Sequence, residues 1–280
     1  MQLTLISGLS GSGKSVALKA LEDAGWFAVD NLPADLIPGL LAFVAGRGEP
    51  RLAVSADARS ADTIGVLPEV VLKERARGTD VRLLFLDATD ESLVRRFGET
   101  RRPHPLATDG RTLEEAIAQE RRLLADVADL GDRIDTSTLT PVQLRRWIQD
   151  LAAIDRSRLT LVIESFGFKG GVPLNADFVF DVRFLTNPHY DPKLRPLTGN
   201  DPEVVSFIES EAEAGLLIDD IERFLRRWLP KFALDRWAAL TVAIGCTGGR
   251  HRSVHIANQL AERFAADYPV IKRHRDLDET

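Results

Sequence analysis

The chain has 280 residues, 44% of them apolar and 28% charged, with a formal net charge of −6. That composition excludes a disordered or fibrous protein, and the length allows one large or two modest domains with sizeable cores. The acidic balance argues against a broad electrostatic footprint for nucleic acid, and the single cysteine, Cys246, rules out an internal disulfide or a cysteine-based zinc cluster.

Residues 3–6 form an apolar run of strand length, and 16–24 place Val16, Leu18 and Leu21 among helix-forming residues. Between them lies Gly8-Leu9-Ser10-Gly11-Ser12-Gly13-Lys14-Ser15, which fits G-x-x-x-x-G-K-[ST] at every fixed position. The glycines let backbone N–H groups wrap an anion at the positive end of the helix. The Lys14 ammonium would then reach the β- and γ-phosphates, and the Ser15 hydroxyl would ligate Mg2+. A nucleoside triphosphate is the expected ligand.

The next strands, 26–29, 51–56 and 81–86, run into Asp30, Asp57 and Asp87, and helix-like segments separate them. Such alternation predicts a parallel sheet with helices on both faces and ligands beyond the carboxyl ends of the strands. One of the three aspartates is expected to hold Mg2+ through water, and Asp57 is favoured. Residues 95–105 form a basic run ending in two prolines. It resembles the lid of small-molecule kinases, although Glu91–Arg95 and Arg96–Glu99 pairs equally describe a solvated helix face. A helix over 112–130, a strand over 133–137 and a helix over 141–151 complete a domain expected to span residues 1–155.

The pattern restarts in a second domain, residues 156–280. Residues 159–163 and 178–184 read as strands, flanking the glycine-bearing stretch 166–171. Residues 187–202 hold four prolines with His189, Tyr190, Asp191, Lys193 and Arg195, which predicts a long functional loop. Helices are expected over 202–214 and 217–228. A buried strand, 240–244, then enters Gly245-Cys246-Thr247-Gly248-Gly249-Arg250-His251-Arg252-Ser253 and another helix. The same backbone logic makes this an anion site, with Thr247, Gly248 and Gly249 offering backbone and Arg250 and Arg252 offering guanidinium forks. Cys246 to Arg252 also has the spacing of cysteine-dependent phosphatases, for which Asp191 is the candidate general acid. Phosphate binding alone is the expectation adopted, with His189 and Arg195 completing the pocket if the proline-rich loop folds over it.

The motifs GLSGSGKS at 8–15, VDNLP at 29–33, DARS at 57–60, RRPHPL at 101–106, ESFGFKGG at 164–171 and IGCTGGRHRS at 244–253 together resemble the RapZ/YvcJ family. The resemblance covers both halves. It implies a kinase-like P-loop domain that binds and slowly hydrolyses ATP and GTP, with Asp57, Ala58, Arg59 and Ser60 contacting guanine nucleotide. It also implies a C-terminal α/β domain like part of a phosphofructokinase, which senses glucosamine-6-phosphate and binds a small regulatory RNA as an RNase adapter. Multimeric assembly is implied as well. In this chain the basic run Lys272-Arg273-His274-Arg275 is followed by Asp276, Asp278 and Glu279. Carboxylates within a Debye length erode phosphate neutralisation, so RNA binding is expected to be weak and salt-dependent. No apolar run is long enough to span a membrane, and the N-terminus enters its first strand directly, so a cytoplasmic protein is expected. The alternatives are a small-molecule kinase or a phosphatase using Cys246.

Overall fold

The computed structural model describes residues 1–56, 65–107, 110–153, 159–234 and 239–277, and the chain divides into two compact units, Met1–Ala153 and Ile154–Thr280. Among the described residues no helix is long and apolar enough to cross a membrane.

The first unit alternates β1 (Gln2–Gly8), α1 (Lys14–Asp23), β2 (Phe27–Val29), α2 (Ile37–Gly46), β3 (Arg51–Ser55), α3 (Leu67–Ala76) and β4 (Asp80–Asp87). It continues through α4 (Asp90–Thr100), α5 (Leu113–Leu123), α6 (Ala125–Ala128), β5 (Asp132–Asp135) and α7 (Pro141–Ala153). Every pairing is parallel, in the order β2-β3-β1-β4-β5. Leu3, Leu5 and Ile6 of β1 are wholly buried, as a strand covered on both faces requires. α1 packs with α7 and against β1, β2 and β3, whereas α3 packs with α2 and α6 and against β4. The chain leaves β1 toward β2 and leaves β4 toward β5, so the carboxyl ends of these adjacent strands form the switch-point crevice where such sheets bind ligands. Gly8 and Asp87 close those two strands.

The expected helix over 112–130 is two helices. Thr112 starts the first with a capping box, its hydroxyl accepting from the Glu115 N–H (3.2 Å) while Glu115 accepts from the Thr112 N–H (2.9 Å). The break at Leu124 lets Leu124, Val127 and Ala128 all enter the core.

Gly8 has φ 137°, and a Cβ there would lie 2.1 Å from the Leu86 carbonyl oxygen. Gly8→Ala is therefore expected to destabilise the first unit by about 3 kcal/mol or more. Chemical denaturation measures this, and an unchanged midpoint would contradict the close approach of β1 to β4.

In the second unit β6 (Thr160–Gly167), β7 (Phe178–Asp181), β8 (Ala239–Cys246) and β9 (Val270–His274) form a parallel sheet in the order β7-β8-β6-β9. α8 (Pro202–Glu209), α9 (Ala212–Leu234) and α10 (Arg252–Phe264) accompany it. β7 is shorter than the expected 178–184 because the Asp181 carboxylate accepts from the Arg183 N–H (2.9 Å) and turns the chain. α9 runs past the expected end at 228 and through Pro230. Phe232 in its last turn stacks edge-on against Phe178, at 5.8 Å between centroids.

The largest difference from expectation is at 272–275, a local basic cluster in the sequence that folds as the end of β9 and its turn. Arg273 lies 3.3 Å from Glu164, and Arg275 donates to the carbonyls of Gly167 (3.0 Å) and Gly171 (2.7 Å). Asp276 accepts from the Gly167 N–H (2.7 Å). These residues tie β9 to the ESFGFKGG stretch. His274 lies between them: Asn258 Oδ1 accepts from Nε2 (3.2 Å), so Nδ1 is bare and accepts from the Ser165 hydroxyl (2.9 Å). Burial, together with the Lys272 charge, lowers the His274 pKa to about 4. The unfolded chain takes up this proton below about pH 6.5 and the folded chain only near its depressed value, so the contribution to stability is lost as the pH falls through that window. Thermal denaturation from pH 7 to pH 4 is expected to show this loss, with a shallower slope in His274→Gln.

Candidate functional site

The loop between β1 and α1 turns its carbonyls toward protein donors. Lys14 Nζ donates to the carbonyls of Gly8 (2.8 Å) and Leu9 (3.1 Å), Arg96 Nη1 to Gly11 (3.1 Å) and Thr136 Oγ1 to Ser12 (2.9 Å). Gly11 and Gly13 have φ of 85° and 105°, in the left-handed region that favours glycine. The residue before α1 is Gly13, which has no side chain to cap it, and among the described residues the first turn holds no acidic side chain. The leading N–H groups and the positive end of the helix thus face a place suited to an anion. Ser15 is exposed in that first turn, where its hydroxyl can ligate Mg2+ bound to a phosphate. Lys14 is only 8% exposed, held inside the loop rather than extended from it.

The three strand-end aspartates differ. Asp30 accepts from the Ser55 hydroxyl. Asp87 is buried and accepts from the Ala88 N–H (2.8 Å) and Arg121 Nη1 (2.9 Å), while Arg121 Nη2 reaches Asp90 (2.7 Å). Arg121 therefore neutralises Asp87, which weakens it as a partner for Mg2+. Asp57, with Ala58, Arg59 and Ser60, lies outside the described residues, although β3, which leads to it, adjoins β1. Among the described residues no group of three or more histidine, cysteine, aspartate or glutamate side chains could hold a metal. That is compatible with Mg2+, which keeps several waters and uses one or two protein ligands beside substrate phosphates.

The basic run divides by role. Arg95, Arg101 and Arg102 are exposed, whereas Arg96 also bonds both the hydroxyl and the carbonyl of Thr136. His104 is buried and bonds Glu120, whose carboxylate accepts from the Ser10 N–H and hydroxyl, both at 2.8 Å. Sequence reasoning missed Glu120. The available signal was a charge on the buried stripe of α5, in line with Ala116 and Ile117.

In the second unit residues 247–251 join β8 to α10, whose first turn has neither a cap from its own N-cap side chain nor an acidic residue. Gly249 has φ 69°, and a Cβ on Gly167 would lie 2.7 Å from the Gly248 carbonyl carbon, so the two glycine motifs pack together. Thr247, Gly248 and Arg250 are exposed. The proline-rich loop folds against them: the Gly199 N–H donates to the Arg250 carbonyl (2.8 Å), and the exposed His189 lies 6.4 Å from His251 between ring centroids. Arg252 is 3% exposed. Its Nη1 donates to the carbonyls of Arg183 (2.8 Å) and Leu185 (2.7 Å) and its Nη2 to the Thr247 hydroxyl (3.2 Å), while Nε is buried without a hydrogen-bond partner. Burial pulls the Arg252 pKa below its ordinary range, against the raising influence of Cys246, Tyr190, Asp181 and Glu211.

Cys246 is buried, and its sulfur accepts from the Ser253 hydroxyl (3.1 Å). Asp191 accepts from the Lys193 N–H (2.8 Å) and so caps a turn.

Residues 1–156 match the family model of the RapZ-like N-terminal domain, and residues 159–278 match that of the RapZ C-terminal domain. A nucleotide-binding protein of Aromatoleum aromaticum is 54% identical over 276 residues, covering 98% of this chain and 94% of the relative. Another, of Thiobacillus denitrificans, is 54% identical over 277 residues, covering 99% and 100%. Among solved structures a sugar kinase from Janibacter is 18% identical with a TM-score of 0.35, covering 52% of this chain and 91% of that one.

Proposed function

This chain belongs to the RapZ family, and we propose that it is a regulatory nucleotide-binding protein whose first unit binds and slowly hydrolyses ATP or GTP with Mg2+. The observation that carries this reading is the uncapped start of α1 behind a loop whose carbonyls are taken up by Lys14, Arg96 and Thr136, which leaves backbone N–H groups for phosphate. The names of the relatives support the same ligand class. Mg2+ would be held by Ser15 and the phosphates, with Asp57 as the outer carboxylate, and would neutralise charge on the transferring phosphoryl group.

The second unit, in the same proposal, senses a phosphorylated amino sugar such as glucosamine-6-phosphate. The uncapped α10, the exposed Thr247, Gly248 and Arg250 and the unpartnered Arg252 Nε support an anion there. Of the cations expected to carry RNA, Arg273 lies beside Glu164 and Arg275 donates to Gly167 and Gly171, which leaves the exposed Lys272, so RNA binding through this run would be weak and salt-dependent. Self-association is part of the proposal, and Phe184, Leu216 and Trp228 expose apolar surface for such contacts.

Thermal-shift titration with ATP, GTP and glucosamine-6-phosphate, with and without Mg2+, tests the reading. A ligand at about 100 times its Kd adds about 2.7 kcal/mol. No shift with either nucleotide would remove the first half of the proposal, and no shift with the sugar phosphate would remove the second.

A further inference from the structure

The phosphate loop is enclosed by contacts that its own motif does not supply. Ser10 donates twice to the Glu120 carboxylate, and Glu120 Oε2 lies 3.1 Å from His104 Nε2. The Leu106 N–H donates to His104 Nδ1 (3.1 Å), which leaves the ring proton on Nε2, directed at Glu120. The His104 ring lies against Phe97, with centroids 5.1 Å apart, and a Cβ on Gly11 would lie 3.2 Å from the nearest Phe97 ring carbon. The contacts therefore leave the loop at Ser10 and return to it at Gly11. Both the Glu120 and His104 side chains are fully buried.

We infer that Glu120, oriented by His104, is a positioning residue for the phosphate loop: it fixes Ser10 and thereby the direction in which the amides that follow point. The inference rests on the nucleotide reading above and deepens it. A carboxylate beside a site for a triphosphate repels the ligand, so its place there calls for a geometric reason. Two donors from one residue, the N–H and the hydroxyl of Ser10, set the orientation of that residue about its Cα. An apolar residue at 120 would accept neither, and it would leave the buried His104 N–H unpaired. Burial raises the Glu120 pKa, but the bonds from His104 and Ser10 and the Lys14 charge outweigh it, and the net shift is downward. The group stays an acceptor for all three bonds.

The exposed Arg101 and Arg102 precede His104 on the same segment. Anchoring His104 to Glu120 therefore also fixes where those cations stand relative to the loop.

The test measures Kd for a fluorescent MgATP analogue, kcat and KM from phosphate release, and Tm. It compares wild type, Glu120→Gln, His104→Leu and His104→Gln in the full chain. Positioning acts mainly in the transition state, so Glu120→Gln is expected to lower kcat by about 10²-fold and to raise Kd by about tenfold or less. His104→Leu should move kcat in the same direction. His104→Gln, whose amide places an N–H near the former Nε2, should recover most of that loss. Variants that lower Tm while leaving Kd, KM and kcat at wild-type values would overturn the inference and reduce the buried pair to packing. A wild-type protein that binds no nucleotide would overturn the nucleotide reading and this inference together, whereas wild-type binding with unaffected variants overturns the inference alone.

Discussion

Lys14→Ala is expected to lose ATP and GTP turnover by roughly 10²- to 10³-fold, the loss that follows removal of a preorganised donor from developing charge. In the structure the ammonium bridges the carbonyls of Gly8 and Leu9 and lies close enough to Glu120 to lower its pKa. From there it closes the loop on itself, and its own residue begins α1. The sequence motif predicts an exposed lysine whose removal leaves the fold alone, but at 8% exposure Lys14 is part of the interior of the loop. Alanine therefore removes donors from two carbonyls and is expected to cost about 1–3 kcal/mol of stability as well. Steady-state phosphate release measured beside Tm separates the two effects. Turnover within about twofold of wild type in a folded variant would take the loop out of the mechanism, because the motif assigns this lysine to the reacting phosphates.

What the sequence made legible is what local chemistry dictates. The strand, glycine loop and helix at 2–23 follow from an apolar run, three glycines and a helical stripe, and each sits within a residue or two of where periodicity puts it. The contacts that hold the 8–15 loop from outside its motif were not legible in the same way. Glu120 lies 110 residues from Ser10, and His104 is embedded in a run so rich in arginine that it reads as solvated or as a lid. Only the fold turns that histidine inward. β9 was missed for a related reason: Arg273 and Arg275 look like free cations until Glu164, buried in the neighbouring strand, and the carbonyls of Gly167 and Gly171 supply their partners, while Lys272 beside them stays exposed. The converse holds at Asp87, which matches an Mg2+-binding strand end by position, yet long-range packing brings Arg121 onto it. Charge read along a chain records which groups must be neutralised. It does not record by whom.

The same limit governs the 245–253 loop, where sequence spacing alone cannot separate an anion receptor from a thiol nucleophile. The structure makes the expected result for Arg252→Ala large and composite. The side chain holds the carbonyls of Arg183 and Leu185 and the Thr247 hydroxyl, and its Nε is the buried donor left for a ligand. Losing charge-assisted bonds worth roughly 1.5–3 kcal/mol each should weaken glucosamine-6-phosphate binding by more than about tenfold, and the orphaned carbonyls should lower Tm too. Arg252→Lys keeps the charge while losing the fork, so it should retain the fold better than alanine does and still bind weakly. Cys246→Ser preserves an acceptor for the Ser253 hydroxyl and is expected to bind the sugar phosphate nearly as wild type does. Isothermal titration on these variants, with phosphate release followed in parallel, decides among the roles. Equal affinity in wild type and Arg252→Ala would sink the anion-loop reading. Release of phosphate from glucosamine-6-phosphate that disappears in Cys246→Ser would instead make the buried thiol a nucleophile, with the Ser253 hydroxyl as a donor to its thiolate.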